Sequence, residues 1–438
     1  MASSGVRTFS DLQGRKVGVF GLGVEGRATL RRLQLLGISA VVVDDAPKER
    51  DGSVLPTVNG GLEALYACEV VLKTPGISSY REDVLSLKAT GVELRSALDL
   101  WLGEVDPKYV VMVTGTKGKS TTTSFLAHLL RGLGKSVVLG GNIGYPPYDP
   151  ELAQAGELTV LEISSFQAEA LTMVPPLVGV TSLGEDHLDW HGSVDRYVAD
   201  KLSLTSKPGA AVAVVADEPV LRAQRALLGP GPVFVAPSEL DRALSSVAGL
   251  SGDHHHRNVA VARELLERLI GPTAPEALLD AAVGYQHLES RFTDLAPLGG
   301  IRVIDDSLAT NPLPTIAGLA GLSKDRVALI LGGRDRGVSY EPLAEVLEAR
   351  TVPTLVLCLP ENGPRIAGEL TPSDLLRVEV VESLPEAVDR GLSWAAPNGV
   401  LLLSPAAPSF GQFLDYRDRA SSFAEAVNLH RNATTPSS

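Results

Sequence analysis

Short apolar runs recur from one end of the chain to the other, separated by stretches in which apolar residues return at helical spacing. This alternation predicts βαβ units in parallel sheets: a strand covered on both faces needs an unbroken apolar run, and its crossover needs a helix. Lys16–Phe20 reads as a strand, Arg27–Leu36 as its helix and Val41–Asp44 as the next strand. Val70–Lys73 reads as a third strand, ended by Thr74-Pro75-Gly76. Around Asp106-Pro107 the pattern restarts with Tyr109–Val113, which predicts a domain boundary; Ser136–Leu139, Leu158–Ile163 and Val178–Thr181 follow. A helix from about Asn258 to Leu269 meets the Gly271-Pro272 stop. A third region opens near Phe292, with strands expected at Ile301–Ile304, Val327–Leu331, Thr354–Cys358 and Val400–Leu403.

Two glycine-rich turns sit where such a fold binds ligands. Val113-Thr114-Gly115-Thr116-Lys117-Gly118-Lys119-Ser120-Thr121 lies between a strand-like run and a helical pattern. Glycines there let several backbone N–H groups face one anion, and the helix N-terminus adds partial positive charge. Lys119 would offset the outer phosphates of a nucleotide, and the Ser120 hydroxyl would ligate Mg²⁺. The common eight-residue loop has glycine where this chain has Val113, so the match is to a shorter variant. Gly21-Leu22-Gly23-Val24-Glu25-Gly26 follows a strand, with Asp44 near the end of the next. By itself this is a dinucleotide fingerprint and supports an NAD-dependent oxidoreductase.

The shorter loop resembles that of the Mur ligase family, and further matches follow in order. Gly141-Asn142-Ile143-Gly144, Leu161-Glu162-Ile163-Ser164-Ser165-Phe166-Gln167 and Asp186-His187-Leu188-Asp189-Trp190-His191-Gly192, then Tyr197 and Lys201, are similar to family segments. So is the Thr74-Pro75-Gly76-Ile77-Ser78 turn. The resemblance implies ATP at Gly115, Thr116, Lys117, Gly118, Lys119, Ser120, Thr121, Asn258, Arg291 and Asp306. It implies two Mg²⁺ ions held by Ser120, Glu162, His187 and Lys201, with Lys119, His187 and Lys201 as the catalytic set. Lys201 is expected to be carbamylated by CO₂, which requires a neutral amine. The UDP-linked substrate is expected at Gly21, Leu22, Gly23, Val24, Asp44, Asp45, Gly76 and Asn142.

Near the C-terminus, Asp305-Asp306-Ser307-Leu308-Ala309-Thr310-Asn311, Gly332-Gly333-Arg334-Asp335-Arg336-Gly337 and Leu403-Ser404-Pro405 through Phe413 resemble the branch of the family that adds D-glutamate. Thr310, Arg336, Ser409 and Tyr416 would surround the amino acid, a set of hydroxyls and one cation suited to a dicarboxylate. Two family lysines are replaced, by Leu308 and Arg336, and Ser290 stands where a histidine is usual. The added amino acid therefore stays open between D-glutamate, L-glutamate and another. The His254-His255-His256 run sits at a helix start, a poor setting for a metal site.

These features predict an α/β protein of three domains: a Rossmann-like substrate domain over 1–106, a central P-loop ATPase-like mononucleotide-binding domain over 107–291, and a Rossmann-like amino-acid domain over 292–438. The implied activity is ATP-dependent ligation of D-glutamate to UDP-N-acetylmuramoyl-L-alanine through an acyl phosphate, in peptidoglycan precursor synthesis, with L-glutamate or another amino acid as the alternative. A nicotinamide oxidoreductase and a non-catalytic nucleotide-binding relative are the competing classes. The net charge of −13 argues against nucleic acid, whose binding rests on clustered Lys and Arg. Cys68 and Cys358, the only two cysteines, offer neither a disulfide framework nor zinc spacing. With no apolar stretch suited to a signal peptide or membrane span, the expectation is a cytoplasmic monomer.

Overall fold

A computed structural model of the protein describes residues 5–45, 47, 52–143, 146–150, 156–286, 290, 292–335, 338–409, 412–413 and 415–434. Its strands form three sheets. The first holds β1 (Val17–Phe20), β2 (Ala40–Asp44), β3 (Leu55–Pro56), β4 (Val70–Lys73) and β5 (Glu93–Arg95), all parallel, in the order β3-β2-β1-β4-β5. The second holds β6 (Val110–Thr114), β7 (Val137–Gly141), β8 (Leu158–Glu162), β9 (Leu177–Val180), β10 (Val212–Ala216) and β11 (Pro232–Val235). These are also parallel, in the order β11-β10-β9-β6-β8-β7. The third holds β12 (Thr293–Leu298), β13 (Ile301–Asp305), β14 (Val327–Leu331), β15 (Thr354–Cys358), β16 (Leu376–Val380) and β17 (Val400–Leu403). Its order is β12-β13-β17-β14-β15-β16, parallel except for β12, which runs antiparallel to β13.

Every strand expected from the apolar runs is present, with ends shifted by at most two residues. The first helix, α1 (Val24–Leu35), begins earlier than expected because Gly23, in extended conformation, caps it directly behind the glycine-rich turn. Helices α2 (Lys119–Gly132), α3 (Ser165–Ala170), α4 (Val194–Leu202) and α5 (Asp253–Ile270) serve the second sheet, and α6 (Tyr416–Thr434) follows the third. The α5 helix reaches back over His254–His256, which lie in its first turn. No helix among the described residues is long and apolar enough to cross a membrane.

The chain folds as two compact units, one of Met1–Glu185 and Trp190–Gln286, the other of Asp186–Asp189 and His287–Ser438. The restart at Asp106-Pro107 marks a change of sheet, with Pro107–Tyr109 forming a short 3-10 turn into β6. Packing runs across it. Phe9, Leu12, Val19 and Leu72 share one buried cluster with Met112, Leu161, Ile163 and Val178, so the first two sheets have a common core. The helix Ala97–Leu102 bridges them, burying Leu98, Leu100 and Leu102. Between these leucines Asp99, 4% exposed, accepts the Thr172 N–H and the Thr172 hydroxyl, each at 2.7 Å.

Replacing Asp99 by Ala removes both bonds and strands the Thr172 N–H. We expect a loss of about 2 kcal/mol, read as a lower urea midpoint, with Asp99→Asn falling between that variant and the parent.

Candidate active site

The phosphate loop joins β6 to α2 in the middle of the second sheet. Two of its glycines have positive φ, +145° at Gly115 and +81° at Gly118, a region side chains avoid. Space is equally restrictive. A Cβ on Gly115 would lie 2.1 Å from Thr181 Oγ1, and one on Gly118 would lie 2.1 Å from Asn258 Oδ1. The loop is thus seated against the end of β9 and against α5, which brings Asn258 to it. The Thr116 N–H donates to Ser182 O at 2.9 Å and the Lys117 N–H to Ser182 Oγ at 2.8 Å. Those amides hold the loop in shape. That leaves the start of α2, with its first-turn amides and helix dipole, as the part of the loop that could take an anion. Lys119 Nζ folds back to Thr116 O at 3.2 Å, Ser120 sits in the same first turn, and Thr121 is buried beside it.

Glu162 ends β8, in register with Val113. It is 2% exposed; Oε1 accepts from Asn142 Nδ2 at 2.8 Å, while Oε2 is buried with no hydrogen-bond partner. The Asn142 N–H also donates to Glu162 O at 2.8 Å, so Asn142, expected at the UDP-linked substrate, is committed to this carboxylate. A buried carboxylate oxygen with no donor suits a cation beside a phosphate-binding helix terminus. Such an oxygen would suit Mg²⁺, and Glu162 and Ser120 are the residues that could hold it. Among the described residues no group of three or more His, Cys, Asp or Glu side chains is placed to hold a metal ion. A metal here would complete its shell with phosphate oxygens and water.

Helix α4 brings two further side chains to the loop. Tyr197 OH pairs with Thr116 Oγ1 at 2.8 Å, and the buried Lys201 donates from Nζ to Gly115 O at 3.0 Å. His187 lies in the other compact unit. Its φ is +54°, its N–H donates to Asp186 Oδ1 at 2.9 Å, and Asp186 Oδ2 accepts from Asn311 Nδ2 at 2.6 Å. A left-handed histidine costs on the order of 1 kcal/mol, strain that clusters at functional sites.

At the first sheet, Gly21, Leu22, Gly23 and Val24 form the turn from β1 into α1, where the strand order reverses between β1 and β4. Asp44 accepts the Leu22 N–H at 2.6 Å and so fastens the turn. Asp45 accepts from Thr57 Oγ1 at 2.8 Å and from Arg81 Nη1 at 2.5 Å, and the Arg81 bond holds its carboxyl below the usual range. Gly76 lies in the turn after β4. Two charges here went unread in the sequence, the buried Lys73 and the half-buried Glu25. Lys73 donates to Ile77 O at 2.7 Å, and burial brings its pKa down to about 8. Glu25 accepts from Gln167 Nε2 at 2.7 Å and Tyr148 OH at 3.1 Å, and burial raises its pKa. The available signal was a charge closing the apolar run Val70-Val71-Leu72.

In the second unit the loops after β13, β14 and β17 converge. Asp306 accepts from Ser404 Oγ at 2.7 Å and from the Phe292 N–H at 3.1 Å, so its carboxylate, expected at ATP, braces two loops. Thr310 is half-buried, Ser409 is buried, and Tyr416 opens α6. Arg291 and Arg336 lie outside the described residues.

A model of the Mur ligase middle domain matches residues 113–239, and one of the Mur ligase glutamate ligase domain matches 290–407. A UDP-N-acetylmuramoyl-L-alanine–L-glutamate ligase of Micromonospora sp. is 37% identical, covering 95% of this chain and 97% of its own. The chain belongs to the Mur ligase family. A protein of the same name from Xanthomonas campestris is 35% identical, covering 96% of each chain. Among solved structures, the Mur ligase fold is matched by the UDP-N-acetylmuramate–alanine ligase MurC of Thermotoga maritima. Its TM-score is 0.59 at 20% identity, covering 94% of this chain and 99% of that one. MurF from the same organism, in complex with ADP, has a TM-score of 0.58 at 16% identity over 98% of each. As a Mur ligase the protein is an ATP-dependent ligase.

A buried, half-satisfied carboxylate makes a sharp prediction. Glu162→Gln should raise the melting temperature of the metal-free protein by about 2 °C, since a buried charge is removed. The same variant should lose most of the stabilisation that MgADP gives the parent, as followed by differential scanning fluorimetry.

Proposed function

We propose that this Mur ligase adds L-glutamate to UDP-N-acetylmuramoyl-L-alanine with cleavage of ATP to ADP and phosphate, in peptidoglycan precursor synthesis. The observation that carries the reaction type is the bare Oε2 of Glu162, set by strand pairing beside the phosphate loop. Relatives from Micromonospora and Xanthomonas supply the amino acid, because both bear the name of an L-glutamate ligase. Of the stereoisomers left open by Leu308 and Arg336, L-glutamate is therefore favoured over D-glutamate. The nicotinamide reading rests on Gly21–Gly26 alone and leaves Lys119 without a task.

In this reading the alanyl carboxylate bonds to the terminal phosphorus of ATP as the bond to ADP breaks. The glutamate amine then attacks the acyl carbon of the resulting acyl phosphate, loses a proton and expels phosphate. Positioning and charge offset do most of the work, since no protein nucleophile is needed. Lys119 and the start of α2 hold the outer phosphates, and Asn258 and Thr181 keep the loop in shape. Magnesium, when bound at Glu162 and Ser120, neutralises charge on the transferred group. His187 would serve a second ion. Lys201 as a neutral amine would add to CO₂, giving a carbamate and a proton, and thereby present an anion beside Gly115. The glycine-rich turn with Gly76 would take the UDP-linked substrate; Thr310, Ser409, Arg336 and Tyr416 would take glutamate. The enzyme would act as a monomer in the cytoplasm, where ATP is available.

Phosphate release tests the assignment. It should require ATP, Mg²⁺, UDP-N-acetylmuramoyl-L-alanine and L-glutamate together, with D-glutamate at least about tenfold poorer, a difference of about 1.4 kcal/mol. Lys119→Ala should lower kcat by about a hundredfold or more, the scale of losing one transition-state charge contact. Release without the acceptor, or an unimpaired Lys119→Ala, would refute the reading.

The carbamate has its own test. Activity should fall in CO₂-depleted buffer and return on adding bicarbonate, while Lys201→Ala stays inactive under both conditions.

A further inference from the structure

His191 is fully buried, and both ring nitrogens are engaged. Nδ1 lies 2.6 Å from Asp200 Oδ2, and Nε2 lies 2.9 Å from Ser165 Oγ. An ionised Asp200 only accepts, so Nδ1 donates to it; in a neutral ring Nε2 then accepts the Ser165 hydroxyl. Asp200 also accepts Tyr80 OH on both oxygens at 2.8 Å. Ser165 is 1% exposed and His191 0%, so this Ser–His–Asp set has no access to a substrate and is no nucleophile.

Its position is informative. Tyr80 follows the turn that contains Gly76. The same stretch receives Trp190 Nε1 on Pro75 O at 3.1 Å and gives Ser78 Oγ to Trp190 O at 2.8 Å. The His191 ring packs on Trp190, with centroids 4.5 Å apart, and edge-on to Tyr197 at 5.3 Å. On helix α4, Asp200 is held by Tyr80 and His191, while neighbouring Tyr197 and Lys201 touch Thr116 and Gly115 of the phosphate loop. Ser165 opens α3, just beyond Glu162. A hydrogen-bonded network of this kind, with His191 and Ser165 buried and Tyr80 and Asp200 half-buried, fixes one geometry where apolar side chains would allow several.

We propose that His191, through Asp200 and Tyr80, is a positioning residue that couples the turn 74–80 to the phosphate loop, so that the UDP-linked acceptor tightens nucleotide binding. This rests on the ligase reading above. By linkage the effect is reciprocal, and coupling between two sites is commonly about fivefold or more.

The test is calorimetric titration of the full-length protein with MgADP, with and without saturating UDP-N-acetylmuramoyl-L-alanine. The parent should bind MgADP at least about fivefold tighter when the acceptor is present. Tyr80→Phe removes only the phenolic bond and His191→Phe removes both imidazole bonds. Each should bring that ratio to about one and leave MgADP affinity alone within about twofold. His191→Asn can keep the Asp200 bond and should fall between them and the parent. An unchanged ratio in both Phe variants overturns the proposal, as does a parallel loss of MgADP affinity in the absence of acceptor. A parent that binds both ligands without coupling refutes this inference alone; a parent that binds no acceptor refutes the ligase reading with it.

Discussion

A carboxylate oxygen shut away from water without a donor costs several kcal/mol, and the elements around Glu162 are arranged to hold it in place despite that cost. Strand pairing with Val113 fixes where β8 ends, and Asn142 satisfies one oxygen and the backbone carbonyl together. Gly141 makes this possible: its φ is +90°, and a Cβ there would sit 2.2 Å from Glu162 O. The loop opposite is equally fixed by Ser182, Thr181 and Asn258. The buried Oε2 of Glu162 would be offset by a cation, and the start of α2 favours anions. In the proposed reading a metal–phosphate pair would answer both at once.

How far this was legible depended on whether a signal was local. Interior strands announce themselves because burial on both faces demands an unbroken apolar run, as in Val327–Leu331. Among the strands that escaped, Leu55–Pro56, Glu93–Arg95, Pro232–Val235, Thr293–Leu298 and Leu376–Val380 are all sheet edges. Edges are short or half-solvated and carry mixed residues. Val212–Ala216 is interior and as apolar as its neighbours; it was readable and went unread. The core shared by the first two sheets was not readable, because apolar spacing gives a buried face without naming what covers it. The helix Ala97–Leu102, which buries Leu98, Leu100 and Leu102 in that shared core, had no counterpart among the expected elements.

The candidate site divides along the same line. Glycines forced to positive φ leave a mark in sequence, so the turns at Gly21 and at Gly115–Gly118 were legible as turns. A carboxylate leaves no such mark of its partner. Asp44, expected at the UDP-linked substrate, fastens the turn through Leu22 N–H, and Asp306, expected at ATP, braces Ser404 and Phe292. His191 and Asp200 are joined across two helices, and the family-like segment that contains His191 gave no hint of its partner.

The second unit solves its own problem of charge in the opposite sense. Arg419 is fully enclosed, and burial brings its pKa down to about 10, with Asp305 and Asp306 opposing the fall. It donates to Ala407 O at 3.1 Å and to Ser307 O at 2.8 Å, joining the loop after β17 to the loop after β13. Gly333, after β14, completes the junction: a Cβ there would meet Pro408 O at 2.1 Å, and its N–H donates to Asn362 Oδ1 at 2.9 Å. The three loops that carry Thr310, Arg334 and Ser409 are therefore fixed from beneath by groups that do not face solvent. Leu308, half-buried, is tied to this part of the fold by its N–H, which donates to Ser290 O at 2.9 Å. In the proposed reading, where these loops take the amino acid, a change at such a position could alter the preferred substrate while the buried contacts of Arg419 and Gly333 stay in place.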